Sequence, residues 1–331
     1  MVNGRYYVVL VGVQRFTLLY ATLYIPIAFR SNPYLWVSIG YASLAIGGFL
    51  GYLRGYDRWF SIVVFSAAVA SIFFKEAIVA LLLPIGMLHS IMIPMIYDLF
   101  RPEEADTLVA RAYSASSIAY FLSGLLIYMM HNPLPLLASI LLILTPQMRR
   151  SASASIRGIA YFIKELDFIR VIPYTATTFI VGGLYTVYLS KATSFGNLEN
   201  LVLALSAFLM GGLRWVSNSL KRALWPIVAG AGLSFIVYLT WFNIYTAMLF
   251  ITLYSLIYPL VTMATGRMGN DPVIYVNAAF AGVSVGESIM PQIYVKYPMA
   301  VSALALTLPL LASVMLLLDR IGPGLRIQHR A

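Results

Sequence analysis

Cysteine is absent from the 331 residues and charge is scarce: 10% of the chain is Asp, Glu, Lys or Arg, where an ordinary soluble domain carries about 25%. The missing thiol excludes disulfides, thiolate metal sites and cysteine nucleophiles. Acids number only 12, most of them between apolar runs, which leaves little to build a catalytic carboxylate pair. The three histidines, His89, His131 and His329, are far apart, unlike the paired histidines of a metalloprotease. No GxxxxGK[ST] loop occurs, and no polar stretch is long enough for a nucleotide-binding domain. Neither cofactor nor metal is expected, and an intramembrane enzyme is the weaker reading.

Apolar residues fill the space that charge leaves. Hydrophobic residues make up 61% of the chain, and runs such as Ala77 to Leu88, Leu134 to Thr145 and Met299 to Leu318 are almost free of charge. Crossing the hydrocarbon core takes about 20 such residues as a helix. The expected fold is therefore an all-α polytopic membrane protein in the cell membrane. Twelve spans are predicted: 10–29, 33–53, 58–74, 76–99, 108–130, 132–148, 167–190, 197–218, 222–241, 243–266, 273–293 and 298–318. The formal charge of +10 does not point to nucleic acid, because the basic residues sit between the apolar runs and form no patch.

Their distribution sets an orientation. With the N-terminus in the cytoplasm, 18 of the 22 Lys and Arg fall on inner segments, and only Arg30, Lys75, Lys191 and Lys296 fall outside. One missed span would scramble that alternation, so both termini are expected inside. The most basic connection, 149–166, places Ile156, Ile159, Ile163 and Leu166 on one face with Arg157 and Lys164 off it. It reads as an amphipathic helix on the cytoplasmic surface, or else as a solvated linker. It divides the chain into an N-terminal six-helix bundle, 1–148, and a C-terminal one, 167–331. A faint internal repeat agrees: Gly47-Gly48 before Arg58, and Thr22-Leu23-Tyr24, recur at an offset of 164 as Gly211-Gly212 before Arg222, and Thr186-Val187-Tyr188.

Polar groups inside the spans are few and therefore informative. Glu287 lies well within the eleventh span, on one face with Asn277 and Ser284, and is a candidate to take up and release a proton. The alternative is a Glu near the outer mouth with no coupling role. His89, mid-way along the fourth span, is a second proton candidate or a structural histidine. Gln14 and Arg15 open the first span, where Arg15 either attracts an anion or, the favoured reading, sits among headgroups. Hydroxyl and aromatic side chains form faces: Thr17, Tyr20 and Tyr24 on the first span; Tyr174, Thr178 and Tyr185 on the seventh; Tyr254, Tyr258 and Thr262 on the tenth. Glycines 47, 51 and 55 make a flat stripe on the second span, which allows close helix approach. Gly282 and Gly286 make a matching stripe on the eleventh.

The order of spans, the central basic connection and the charged loop after the second span resemble the major facilitator superfamily of secondary transporters. In that loop Gly51, Leu53, Asp57 and Arg58 match the family's pattern in type, with Asp-Arg two residues late; "RPEEADTLVARA" (101–112) is similar to its loop between the fourth and fifth spans. The resemblance implies two six-helix bundles that rock about a central site, usually as a monomer. It implies that spans one, four, seven and ten line the cavity. Gln14, Thr17, Tyr20, Tyr24, Tyr174, Thr178, Tyr185, Tyr254 and Tyr258, with Asn277, are then the expected substrate-cavity residues. It also implies a latch, in which Gly51, Asp57 and Arg58 work against the start of the eleventh span near Asp271-Pro272. The expected function is proton-coupled transport of a small neutral or amphipathic molecule. A non-transporting membrane sensor or assembly protein on the same fold remains the alternative.

Overall fold

The computed structural model describes residues 3–54, 57–92, 96, 99–100, 102–146, 168–220, 222–265 and 272–325. Among them are eleven α-helices: α1 (Gly4–Ala28), α2 (Pro33–Arg54), α3 (Arg58–Ala70), α4 (Ala77–Ile91), α5 (Pro102–Met129), α6 (Phe168–Ala192), α7 (Glu199–Val216), α8 (Leu224–Thr240), α9 (Ile244–Thr265), α10 (Pro272–Lys296) and α11 (Pro298–Leu325). Each coincides with a predicted span. Polar side chains start several of them. Asn3 caps α1 by accepting from the Arg5 N–H at 2.9 Å, and Asn243 precedes α9, accepting from Tyr245 and Thr246 N–H at 2.9 and 3.0 Å. The predicted linker 149–166 and the loop acid Asp271 lie outside the described residues.

The sixth span differs from expectation. Instead of an α-helix over 132–148, residues Leu134–Leu144 form a 3-10 helix. Pro133 and Pro135 flank its first residue, and proline has no N–H to donate to an α-helical ladder. A 3-10 helix rises about 2.0 Å per residue, so these 11 residues reach farther across a bilayer than an α-helix of that length.

Six helical stretches are long and apolar enough to cross a membrane: Gly4–Ala28, Pro33–Gly51, Thr107–Met129, Arg170–Leu213, Ile244–Thr265 and Pro298–Leu317. Large apolar side chains such as Phe49, Ile118, Leu310 and Leu317 point outward, a surface suited to lipid. This is a multi-pass membrane protein.

Packing partners recur between the two halves of the chain. α1 packs on α5 as α6 packs on α10, and α3 lies against the 3-10 segment as α8 lies against α11. α2 packs on α4 as α7 packs on α9. Between the halves, the main seams are α5 with α7 and α2 with α10. The α5–α7 seam is close because Gly124 faces Ala204 and Ala207, Gly211 faces Ser117 and Tyr120, and Phe121 stacks on Phe208 at 5.7 Å.

Burying apolar surface gains nothing between helices already in lipid, so close van der Waals packing has to hold them. The glycine stripes supply it, but not across the halves. A Cβ on Gly47 or Gly51 would overlap the α4 backbone at Leu83 or Met87, and one on Gly282 or Gly286 would overlap α6 at Thr175 or Phe179. The two stripes thus fasten α2 to α4 and α6 to α10. They do not face each other, which corrects the matched-stripe expectation. A further likeness lies at the ends of the halves: Lys75 Nζ sits 5.0 Å over the Phe29 ring, and Lys191 Nζ 4.8 Å over Phe242.

Candidate functional site

Glu287 is the centre of a polar group in the interior. It lies nine residues before Lys296, about 14 Å along α10 at 1.5 Å per residue, and its residue surface is 8% exposed. The Tyr258 hydroxyl on α9 donates to Glu287 Oε1 at 3.5 Å, long for a hydrogen bond. Tyr254, one turn earlier on α9, hydrogen-bonds Tyr258 and crosses it edge-to-face with ring centroids 5.1 Å apart. Tyr185 on α6 stacks on Tyr254 at 4.3 Å with the rings 11° from parallel. Gly182, one turn before Tyr185, leaves room for the carboxyl: a Cβ there would lie 3.1 Å from Glu287 Cγ and 3.2 Å from the Tyr258 oxygen.

The first half of the chain completes the group. Tyr41 on α2 hydrogen-bonds Thr22 of α1 and lies close enough to Glu287 and Tyr258 to interact with them electrostatically. Tyr120 on α5 is within the same reach of Tyr41, Tyr185 and Tyr258. Tyr185, Tyr254, Tyr258 and Glu287 thus form a packed group, with Tyr41 and Tyr120 within electrostatic reach of it across the seam between the halves. No ion pair to Glu287 exists among the described residues, where the one salt bridge joins Arg30 and Glu199.

The predicted cavity residues divide. Tyr185, Tyr254 and Tyr258 come together around Glu287. Tyr20 and Tyr24 do not: Tyr20 donates to the carbonyls of Met130 and Asn132 at 3.0 and 2.8 Å, and the Tyr24 hydroxyl reaches His131 O at 3.4 Å. Both stitch α1 to the connection after α5. Tyr174 packs on Trp225 of α8 at 5.2 Å. The Thr178 hydroxyl contacts the Ala279 carbonyl across the α6–α10 seam, and Thr17 donates to Val13 O at 2.9 Å in its own helix. Gln14 is 1% exposed, and its amide has no hydrogen-bond partner among the described residues. The Asn277 side chain lies outside the described residues.

Arg15 corrects the headgroup expectation. Its Nη1 turns inward onto the His89 ring, 2.5 Å from Nδ1 and 3.1 Å from Nε2. Asp57 caps α3, accepting from the Trp59 N–H at 3.4 Å, with the exposed Arg58 as the first helical residue. Gly51 packs on α4. The far side of the expected latch, at Asp271, is outside the described residues.

A second set of contacts crosses between the halves, at the end where α1 stops and α7 begins. Arg30 Nη2 pairs with Glu199 Oε2 at 2.8 Å. His131 hydrogen-bonds Asn200 and Tyr34 stacks on Tyr294 at 5.7 Å, while within the second half Lys191 Nζ donates to the Tyr294 hydroxyl at 3.4 Å. Sequence reasoning missed Tyr41, Tyr120, Gly182 and this set. Only the last left a trace, since Arg30 and Glu199 are rare opposite charges on the lysine- and arginine-poor side.

No family model matches the chain, and no curated protein matches it. Solved structures do. A mutant of the peptide transporter POT in complex with sulfate aligns at TM-score 0.70 and 14% identity, over 96% of this chain and 94% of that one. A D-xylose-proton symporter aligns at TM-score 0.69 and 11% identity, over 93% and 96%. A POT family transporter in complex with 5-aminolevulinic acid gives 0.63 and 11%, over 95% of each. The fold of the chain is the one these transporters share. The three structures just named are of transporters.

Proposed function

We propose that the protein is a secondary transporter of a small neutral or amphipathic molecule, working by alternating access and coupled to protons. Two six-helix bundles, 1–148 and 167–331, rock about the seam that holds the tyrosine group, with 149–166 as an amphipathic linker on the cytoplasmic side. The protein works as a monomer in the cell membrane, with both termini inside.

The observation that carries this reading is Glu287: a buried carboxyl group on α10, at the seam between the halves, with no ion pair among the described residues. Such a group is costly, and in a membrane protein it marks a pathway or relay. A site at the seam is reached from one side or the other as the halves tilt. Glu287 serves as the proton site in preference to His89, because the Arg15 guanidinium lies on the His89 ring and would repel the charge of an imidazolium. The contacts Arg30–Glu199, His131–Asn200 and Tyr34–Tyr294 close the outer end. On the opposite side Asp57, with Gly51 and Arg58, forms the latch that holds the inner end when the outer contacts separate.

The test is reconstitution in liposomes with an imposed pH gradient. Glu287→Gln is expected to abolish gradient-driven uptake while leaving exchange of substrate across the membrane largely intact. Concentrative uptake at the wild-type level in that variant would remove the relay.

A further inference from the structure

We infer that the group around Glu287 binds an organic cation, held by the carboxylate and by the faces of the tyrosine rings, and that cation and proton exclude each other there. This rests on the transport reading above and narrows its substrate to a positively charged amphipath.

The argument starts from what the group contains. Among the described residues, Tyr258 of α9 contacts Glu287, and Tyr254 of α9, Tyr185 of α6 and Tyr41 of α2 lie within electrostatic reach of it, with Tyr120 of α5 within reach of those tyrosines. The remaining neighbour, α11, carries no titratable side chain between Pro298 and Leu317. An anion would meet a carboxyl group and, among the described residues, no cationic partner beside it. A neutral molecule would use neither the carboxylate's charge nor the electron-rich ring faces. A cation satisfies the carboxylate and meets the electron-rich ring faces as well, the arrangement by which aromatic cages select ammonium groups.

The geometry suits that role. Tyr185 and Tyr254 form one stacked wall, and Tyr258 stands 78° to Tyr254, so the three rings turn a corner. Gly182 lets Glu287, Tyr258 and Val283 pack directly against α6, where a Cβ would lie 3.1–3.3 Å from all three. The Tyr258–Glu287 contact that now closes the corner is 3.5 Å long, so a ligand displacing it gives up little. Because this is a single carboxylate, it cannot hold a proton and pair with an ammonium group at once. The proton leaves Glu287 as the cation arrives and returns as it departs, which makes the coupling an exchange of cation for proton.

The experiment uses the purified full-length protein and radiolabelled tetraphenylphosphonium. Binding is read in detergent, and proton release is read in weakly buffered solution. The expected result is saturable binding that weakens as pH falls, with about one proton released per cation bound. Tyr254→Leu, which removes the ring, should lose about tenfold, and Tyr254→Phe, which keeps it, should recover most of that loss. Glu287→Gln should lose the proton release, and Glu287→Asp, which keeps the acid, should retain it; the two together separate lost chemistry from lost folding. Absence of binding, binding without proton release, or unchanged proton release in Glu287→Gln overturns the inference. Counterflow in proteoliposomes is measured alongside. Binding with proton release but no counterflow upholds the cation site and removes the transport reading. Counterflow of xylose by a protein that ignores tetraphenylphosphonium upholds transport and removes the cation site.

Discussion

Arg30 and Glu199 form an ion pair of 2.8 Å between the end of α1 and the first residue of α7, and the two partners are unequally placed: the arginine side chain is 59% exposed and the glutamate 2%. The pair ties the first half of the chain to the second at the end where His131–Asn200 and Tyr34–Tyr294 also cross. Its asymmetry decides which partner matters more. A lone arginine at this position turns to water, but a lone glutamate stays buried.

Arg30→Gln should therefore cost more than Glu199→Gln, about 1–3 kcal/mol for the stranded carboxylate against under about 1 kcal/mol for the exposed arginine. Melting curves of the two variants check this. The absence of cysteine gives a clean second readout. Thr22→Cys, beside Tyr41, should react faster with an impermeant maleimide added outside once Arg30→Gln has loosened the outer closure. Equal labelling with and without Arg30→Gln would show that this pair does not hold the end shut.

Two glycine seams should be intolerant of a single methyl group. Gly47→Ala meets the Leu83 carbonyl and Gly286→Ala the Phe179 carbonyl, both of them backbone that cannot step aside. Each should destabilise by about 2–3 kcal/mol. Gly48→Ala is the control, since its nearest neighbour would lie at 3.8 Å. Three equal melting temperatures would mean that these helices have slack to separate.

Asp57 separates a cap from a latch. As the N-cap of α3 it should tolerate Asn, an equally good cap, and lose about 1 kcal/mol on Asp57→Ala. As a latch it needs its charge, so Asp57→Asn should slow turnover with unchanged stability and substrate affinity. Wild-type turnover in Asp57→Asn would leave only the cap.

Tyr20 and Tyr185 should behave oppositely although both are buried tyrosines on cavity-predicted faces. Tyr20→Phe removes two hydrogen bonds to carbonyls of the 130–132 connection and should lower stability by about 1 kcal/mol without altering substrate preference. Tyr185→Leu removes the ring stacked on Tyr254 and should alter apparent affinity first. Ligand titrations set against melting curves distinguish the two, and a shift in substrate preference for Tyr20→Phe would return it to the site.

Along the chain, the helices were legible because crossing a bilayer is a local demand: about 20 apolar residues, wherever they stand. The one failure has a local cause too, since Pro133 and Pro135 deny the sixth span its α-helical donors. Tyr254 and Tyr258 were legible as a pair because a spacing of four residues puts side chains on one helix face. The same spacing misled at Tyr20 and Tyr24, which share a face turned toward the connection after α5.

By itself, then, the sequence determined that this is a multi-pass helical membrane protein, where its helices run, and that Glu287 is an acid among apolar residues. Hydropathy and periodicity belong to one helix at a time and need no knowledge of neighbours. Only the tertiary structure decided that the glycine stripes serve α4 and α6, that Arg15 turns to His89, and that Tyr41 and Tyr120 join Glu287 from the other half. Those outcomes depend on which faces of two helices meet. That is fixed by close packing between surfaces that are equally greasy, where a single missing Cβ outweighs any difference in hydrophobicity.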